Sequence, residues 1–389
     1  MKFKKLIFFS FVSILVAMFS FVDLNSTFAQ TEYLPKASIS AGSSAGSAIV
    51  LDANTGRIYY EKNADQKRAM ASTTKIVTAI TVIRNCSDLD AQVKIDNKAI
   101  GIEGTSIYLR KGEVLSVRDL LYGLMLRSGN DAAVALAIYC AGSIEEFCSL
   151  MNETAQLAGA ENSNFTNPHG LDDPNHYTTA RDLAKITAFA LENRDFAQIV
   201  STKNIKIPSS EEGYRFLSNK NRLLNSLEGC IGVKTGFTSK AGRCLVSATE
   251  RNGLRAVCVV LNCGPMFEES ADMLNAVHNK YKNYEILQPY NFIADIPLGN
   301  GENPTVQVYS KKGLNLSLTE EEYSKINIVY DLPEILSAPV KSDQEVGKVE
   351  VYYDKHLIFS EKIYTIDEVD SKLLKDKMKD ILERWRVLN

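Results

Sequence analysis

Three short constellations in the 389-residue chain have the residue types and spacing for acyl-transfer chemistry. Ser72-Thr73-Thr74-Lys75 opens a segment whose apolar residues (Ile76, Val77, Ala79, Ile80, Val82, Ile83) recur at helical spacing. A separation of three on a helix puts Ser72 and Lys75 on one face, within hydrogen-bonding reach. A serine hydroxyl is a weak nucleophile until a neighbour takes its proton. A lysine can do so only uncharged, so burial or nearby positive charge must lower its usual pKa of about 10.4. Ser128-Gly129-Asn130 interrupts two apolar helical runs, where a hydroxyl and a carboxamide can project together into a cleft. Lys234-Thr235-Gly236 ends a strand-like run; its lysine and threonine suit a carboxylate, and its glycine lets a substrate backbone approach. Taken singly, each has a plain structural reading: a capped helix with a solvated lysine, a turn, a strand end. Their order and settings, on helix, inter-helix loop and strand, give the combination its weight.

The elements that must position these groups are legible in outline. A hairpin is expected from Ala48-Ile49-Val50-Leu51, a turn at Asn54-Thr55-Gly56, and Arg57-Ile58-Tyr59-Tyr60. From about 72 to 195 the period is helical, with capping boxes at Ser116/Asp119, Ser143/Glu146 and Thr179/Asp182. Val117–Leu126 and Ala132–Ala141 are predicted buried helices on either side of the Ser128 triplet. Strand signals return at Gly232–Gly236, Cys244–Ala248 and Arg255–Leu261. Sheet, helical block, sheet is the pattern of an α+β domain whose antiparallel sheet is completed by distant segments. After about residue 285 short β-type runs dominate, which predicts a small all-β domain over 285–366.

Hydrophobic residues make up 45% and charged residues 23%, enough apolar material for two domains and far from a disordered chain. A net charge of −3 gives no sign of a nucleic-acid partner. Lys2, Lys4 and Lys5 precede an apolar run to Val22 and a small-residue end at Thr27-Phe28-Ala29, so residues 1–29 are expected to be an export signal peptide. Residues 30–45 are small and polar and are expected to be a flexible lead-in, with the catalytic domain spanning 46–284. Seven cysteines in an exported chain raise the question of disulfides, and one among Cys230, Cys244 and Cys258 stays open. At the C-terminus, Leu374, Met378, Ile381, Leu382, Trp385 and Leu388 form one apolar stripe beside a basic surplus. Residues 367–389 are therefore expected to form an amphipathic helix lying on a membrane surface, with docking on the chain's own domain as the plainer alternative.

S-x-x-K, an S-x-N triplet and K-T-G, in that order, form a known signature of penicillin-binding proteins and β-lactamases. The chain resembles the low-molecular-mass penicillin-binding proteins, the serine-type D-alanyl-D-alanine carboxypeptidases. The likeness extends to Gly104–Leu109, Leu120–Met125, His169-Gly170-Leu171, His176–Asp182 and Thr235-Gly236-Phe237-Thr238, and is close over roughly 45–265. It implies a penicillin-binding, transpeptidase-type domain that trims terminal D-alanine from peptidoglycan stem peptides outside the cytoplasmic membrane, binds β-lactams, and needs no metal or cofactor. Carried onto this sequence, Ser72 is the acylated nucleophile, Lys75 its base and Ser128 the proton shuttle. Asn130 holds the substrate amide, Lys234 and Thr235 bind the terminal carboxylate beside Gly236, and the N–H groups of Ser72 and Phe237 form the oxyanion hole. Arg127 and Phe237 are positions where family variation bears on substrate preference. Three rivals differ. A class A β-lactamase would carry E-x-x-L-N between the second and third motifs, which is missing; a silent cell-wall binding protein would not keep every chemical group; a zinc peptidase on His169 and His176 would need an H-E-x-x-H cluster.

Overall fold

The computed structural model describes residues 33–210 and 213–375, with Met378, Leu382 and Trp385. The expected signal peptide, 1–29, lies outside the described residues, as does much of the expected C-terminal helix. Five antiparallel strands form the central sheet: β1 (Ser47–Asp52), β2 (Ile58–Lys62), β3 (Cys230–Thr238), β4 (Gly242–Arg251) and β5 (Leu254–Leu261), in the order β2-β1-β5-β4-β3. All six residues of β1 are buried, because both faces of the sheet are covered. One face packs on the helical block: α1 (Lys75–Asn85), α2 (Val117–Leu126), α3 (Asn130–Ala141), α4 (Ile144–Leu157), α5 (Ala180–Leu191) and α6 (Arg194–Ser201). The other face is covered by α7 (Met266–Lys280), whose Met273, Leu274 and Val277 meet Val50, Cys258 and Val260 in a second core.

Local sequence explains where these helices begin and end. Ser116 Oγ accepts from Asp119 N at 3.0 Å while the Asp119 carboxylate accepts from Ser116 N at 3.2 Å, a complete capping box that starts α2. The other two boxes are half formed. Ser143 and Thr179 cap through their side chains, but Asp182 turns its carboxylate to Asn162 N and Ser163 Oγ. α3 is apolar all round, as a helix in the middle of a bundle must be, and stops at Gly142, which takes φ +80°.

The second unit is all-β. Its six strands run in the order 326–331, 345–353, 356–365, 305–310, 292–299 and 336–337, and strand Lys282–Leu287 pairs with Leu314–Leu318 beside them. Ile296, Leu298, Val306, Val308, Val349, Val351 and Ile363 fill its core. Arg57 joins the two units: its guanidinium grips both oxygens of Glu322, at 2.5 and 3.0 Å, and donates to Ser317 O at 2.8 Å.

One expectation is corrected here and one open question is answered. The stretch before β1 is docked rather than flexible: the Glu269 carboxylate on α7 accepts from Ser43 Oγ and Ser44 N, and Leu34 is buried in the C-terminal core. Its serines look like linker only because their partner is distant in sequence. No disulfide joins Cys230, Cys244 and Cys258, and all seven cysteines are free. Register forbids that pairing, since Cys230 faces Thr249, Cys244 faces Gly236 and Cys258 faces Ser247.

Candidate active site

Ser72 lies in a single 3-10 turn, Ala71–Thr74, directly before α1, and Lys75 is the first residue of the helix proper. Ala71 is held at φ +51°, a conformation that a non-glycine residue adopts only where its surroundings impose it. Two neighbours do so. Gly170 passes so close that a Cβ on it would stand 2.0 Å from Ala71 O. On the other side Gly236 of β3 leaves room for the turn, since a Cβ there would meet Ser72 N and Thr73 N at 3.0 Å.

Lys75 is completely buried, and its Nζ makes three contacts: Ser72 Oγ at 3.0 Å, Asn130 Oδ1 at 2.7 Å and His169 O at 2.5 Å. The carbonyl oxygens of Asn130 and His169 can only accept, so they take two N–H bonds. The third contact brings the amine within reach of the Ser72 hydroxyl. Burial, reinforced by the charges of Lys234 and Lys220, holds the Lys75 pKa well below its ordinary value. The fold thus sets an amine whose charged form is disfavoured beside the Ser72 hydroxyl.

The Ser128 triplet approaches from the α2–α3 junction. Ser128 takes φ +65° and is nearly buried, on the wall of the cavity that contains Ser72. None of its side chains caps α3, whose N-cap is Gly129. Asn130 is fixed at both ends of its amide: Nδ2 donates to Glu103 O at 2.6 Å while Oδ1 accepts from Lys75. Buried Asp131 holds the facing loop by accepting from Ile107 N, Leu109 N and Ser106 Oγ. From the sheet side, Thr235, Gly236 and Phe237 line the same cavity, about 660 Å³ in volume, and Phe237 is 66% exposed at its rim. Lys234 lies buried beneath, its Nζ on Thr235 O at 2.8 Å, and burial followed by Lys220 lowers its pKa to about 7. Five of the eight predicted residues, Ser72, Ser128, Thr235, Gly236 and Phe237, thus line one crevice between helices and sheet, and Lys75, Asn130 and Lys234 are buried.

The sequence did not reveal the supports. His176 Nδ1 accepts from Thr166 N at 3.0 Å, so its proton sits on Nε2, which faces Thr74 Oγ1 at 2.8 Å; Thr74 in turn donates to Ala71 O. Burial keeps this imidazole neutral, with a pKa of about 4. His169 acts through its backbone carbonyl, and its ring accepts from Leu171 N. The His176 ring is thereby committed to bracing the Ser72 turn.

A nucleophilic serine, a desolvated lysine base and convergent polar donors define a serine acyl-transfer enzyme. Residues 35–264 match the family profile of the D-alanyl-D-alanine carboxypeptidases, and residues 281–371 match the C-terminal domain of penicillin-binding protein 5. The D-alanyl-D-alanine carboxypeptidase DacA of Haemophilus influenzae is 31% identical over 361 residues, covering 87% of this chain and 88% of the relative. DacF of Bacillus subtilis is 28% identical, covering 81% and 83%. Among solved structures, penicillin-binding protein 5 from Haemophilus influenzae superposes with a TM-score of 0.68 at 29% identity, over 85% of this chain and 98% of that one. The chain belongs to the D-alanyl-D-alanine carboxypeptidase family of penicillin-binding proteins.

Proposed function

We propose that this enzyme removes the terminal D-alanine from peptidoglycan stem peptides through an acyl-enzyme on Ser72. The observation that carries the reading is the contact of the buried Lys75 Nζ with Ser72 Oγ at 3.0 Å. Lys75 takes the Ser72 proton as Oγ attacks the carbonyl of the penultimate D-alanine. The N–H groups of Ser72 and Phe237 hold the oxyanion, and the close seating of Gly236 on the Ser72 turn supports that pairing. Ser128 passes a proton to the departing amine, and D-alanine leaves. Asn130 orients the substrate amide, while Lys234 and Thr235 hold the terminal carboxylate. Water then releases the acyl group, with Ser128 and Lys75 returning the proton. β-Lactams acylate the same oxygen by ring opening.

The enzyme acts outside the cytoplasmic membrane, exported by residues 1–29 and held at the surface by its C-terminal helix. Leu374, Met378, Leu382 and Trp385 are helical and well exposed, which supports an apolar stripe facing outward. Removing residues 371–389 is expected to move the protein from anionic vesicles to the supernatant in a sedimentation assay; equal sedimentation of both forms rejects the anchor.

Intact-mass spectrometry with penicillin tests the catalytic reading. A single adduct on the wild type, absent from Ser72→Ala, is expected, together with D-alanine release from a peptide ending in D-Ala-D-Ala. An adduct that persists in Ser72→Ala overturns the assignment, and rapid penicillin turnover makes the enzyme a β-lactamase.

A further inference from the structure

The all-β unit carries a solvent-facing row of aromatic rings that neither its core nor the acyl-transfer chemistry uses. Phe292, Tyr309 and Tyr364 are direct partners across three neighbouring strands, Phe292–Gly299, Thr305–Ser310 and His356–Thr365. The core takes the alternate residues Val306, Val308 and Ile363, so the three rings stand on the opposite face. Phe292 reaches that face only through a bulge. Ala294 lies opposite the core residue Val308, and one extra residue, Ile293, turns Phe292 out to Tyr309. Tyr290 completes the row. It takes φ +58°, its N–H donates to Ser310 O at 2.8 Å, and its ring stacks on that of Tyr309, 5.8 Å between centres and 26° between planes. On the far side the Tyr364 ring lies 6.2 Å from that of Tyr309.

Cross-strand aromatic pairs also stabilise sheets, and that alone would account for rings that cover one another. Here Tyr290 is 70% and Phe292 49% exposed, so much of their ring surface is turned to water. Polar groups frame it. The Tyr309 hydroxyl donates to Asp343, and Lys311 Nζ lies 3.4 Å from that carboxylate and 4.2 Å from the centre of the Tyr364 ring. Asp295, Gln307 and Lys362, next along the same face, are exposed. Flat rings bordered by donors and acceptors match a pyranose, which presents C–H groups on its faces and hydroxyls at its edges. Three strands span two gaps, about 10 Å in all, enough for more than one sugar ring. The C-terminal segment leaves from elsewhere: Ser371 pairs with Gly301, beyond the Thr305 end of the strand that bears Tyr309 near its other end. The rings and the proposed membrane anchor therefore occupy different ends of the unit.

We propose that Tyr290, Phe292, Tyr309 and Tyr364 form a binding platform for the sugar chain of the cell-wall polymer, separate from the catalytic crevice. This inference rests on the reading of peptidoglycan as substrate and goes beyond it: the platform holds the glycan strand while the crevice works on the stem peptides.

Retention of the protein on glycan strands stripped of their stem peptides tests the platform. The wild type is expected to be retained, with soluble chitohexaose competing. Tyr290→Ala and Phe292→Ala, both at exposed positions, are each expected to weaken retention about tenfold. Tyr309→Phe, which keeps the ring, is expected to preserve most of it. Penicillin labelling of Ser72 and D-alanine release from a soluble peptide are expected to stay unchanged in all three variants. No retention of the wild type, or undiminished retention of both alanine variants, overturns the platform. So does a loss of vesicle sedimentation in Tyr290→Ala with glycan retention intact, which makes the rings part of a lipid contact. Retention without any penicillin adduct or D-alanine release upholds the platform and fails the catalytic reading instead.

Discussion

The catalytic crevice and the C-terminal β unit handle charge in opposite ways. In the crevice, Lys75, Lys234, Asp131 and His176 are all buried, and desolvation comes first in lowering the pKa values of both lysines and the histidine. In the β unit the close ion pairs Lys282–Glu320, Lys348–Glu350 and Lys362–Glu345, at 2.6–2.7 Å, leave their lysines largely in solvent. There each lysine binds its proton more tightly because a carboxylate is beside it, and water and salt screen the attraction. The contrast teaches that short ion-pair distances do not identify a reactive site, whereas buried titratable groups whose charged forms are disfavoured do. The Arg57–Glu322 pair is the exception, because it is buried where the two units meet.

The largest effect expected from breaking this contrast is on the base. Lys75→Met should slow Ser72 acylation roughly 10³- to 10⁴-fold in a penicillin-labelling time course while the protein stays folded. Next comes the junction. Arg57→Ala leaves Glu322 buried without its partner, and urea denaturation should show a loss of about 3–5 kcal/mol. Third is the pH response of the buried imidazoles. His176 has a pKa of about 4 in the folded chain, against an ordinary 6.5. Above pH 6.5 it is neutral whether folded or not. Between 6.5 and 4 the unfolded chain binds the proton and the folded chain does not, so stability falls on acidification, by up to about 3 kcal/mol for this residue. His176→Gln should flatten that slope in a Tm-versus-pH series. The smallest effect is expected in the β unit, where Lys348→Ala should leave the urea midpoint unchanged within error. A large loss there would undo the comparison.

Much of the site was readable in advance because its elements obey local rules. Val117–Leu126 has the limits its capping box and apolar spacing predict, and the three strands fall where β-rich runs place them. What escaped depends on partners far apart in sequence. Ser43 and Ser44 gave no sign of Glu269, and the expected box at Thr179 lost Asp182 to Asn162 and Ser163. His169 matters through its carbonyl oxygen, an atom every residue has, so no residue-type pattern could mark it.

The sequence by itself determined the chemical groups, their order, and the helix, loop and strand that bear them, since these follow from spacing and local propensity. Only the tertiary structure decided that Lys75 is buried with its charged form disfavoured, and that its Nζ stands 3.0 Å from Ser72 Oγ. Burial and the direction of a hydrogen bond are set by chain segments that meet only once the fold closes.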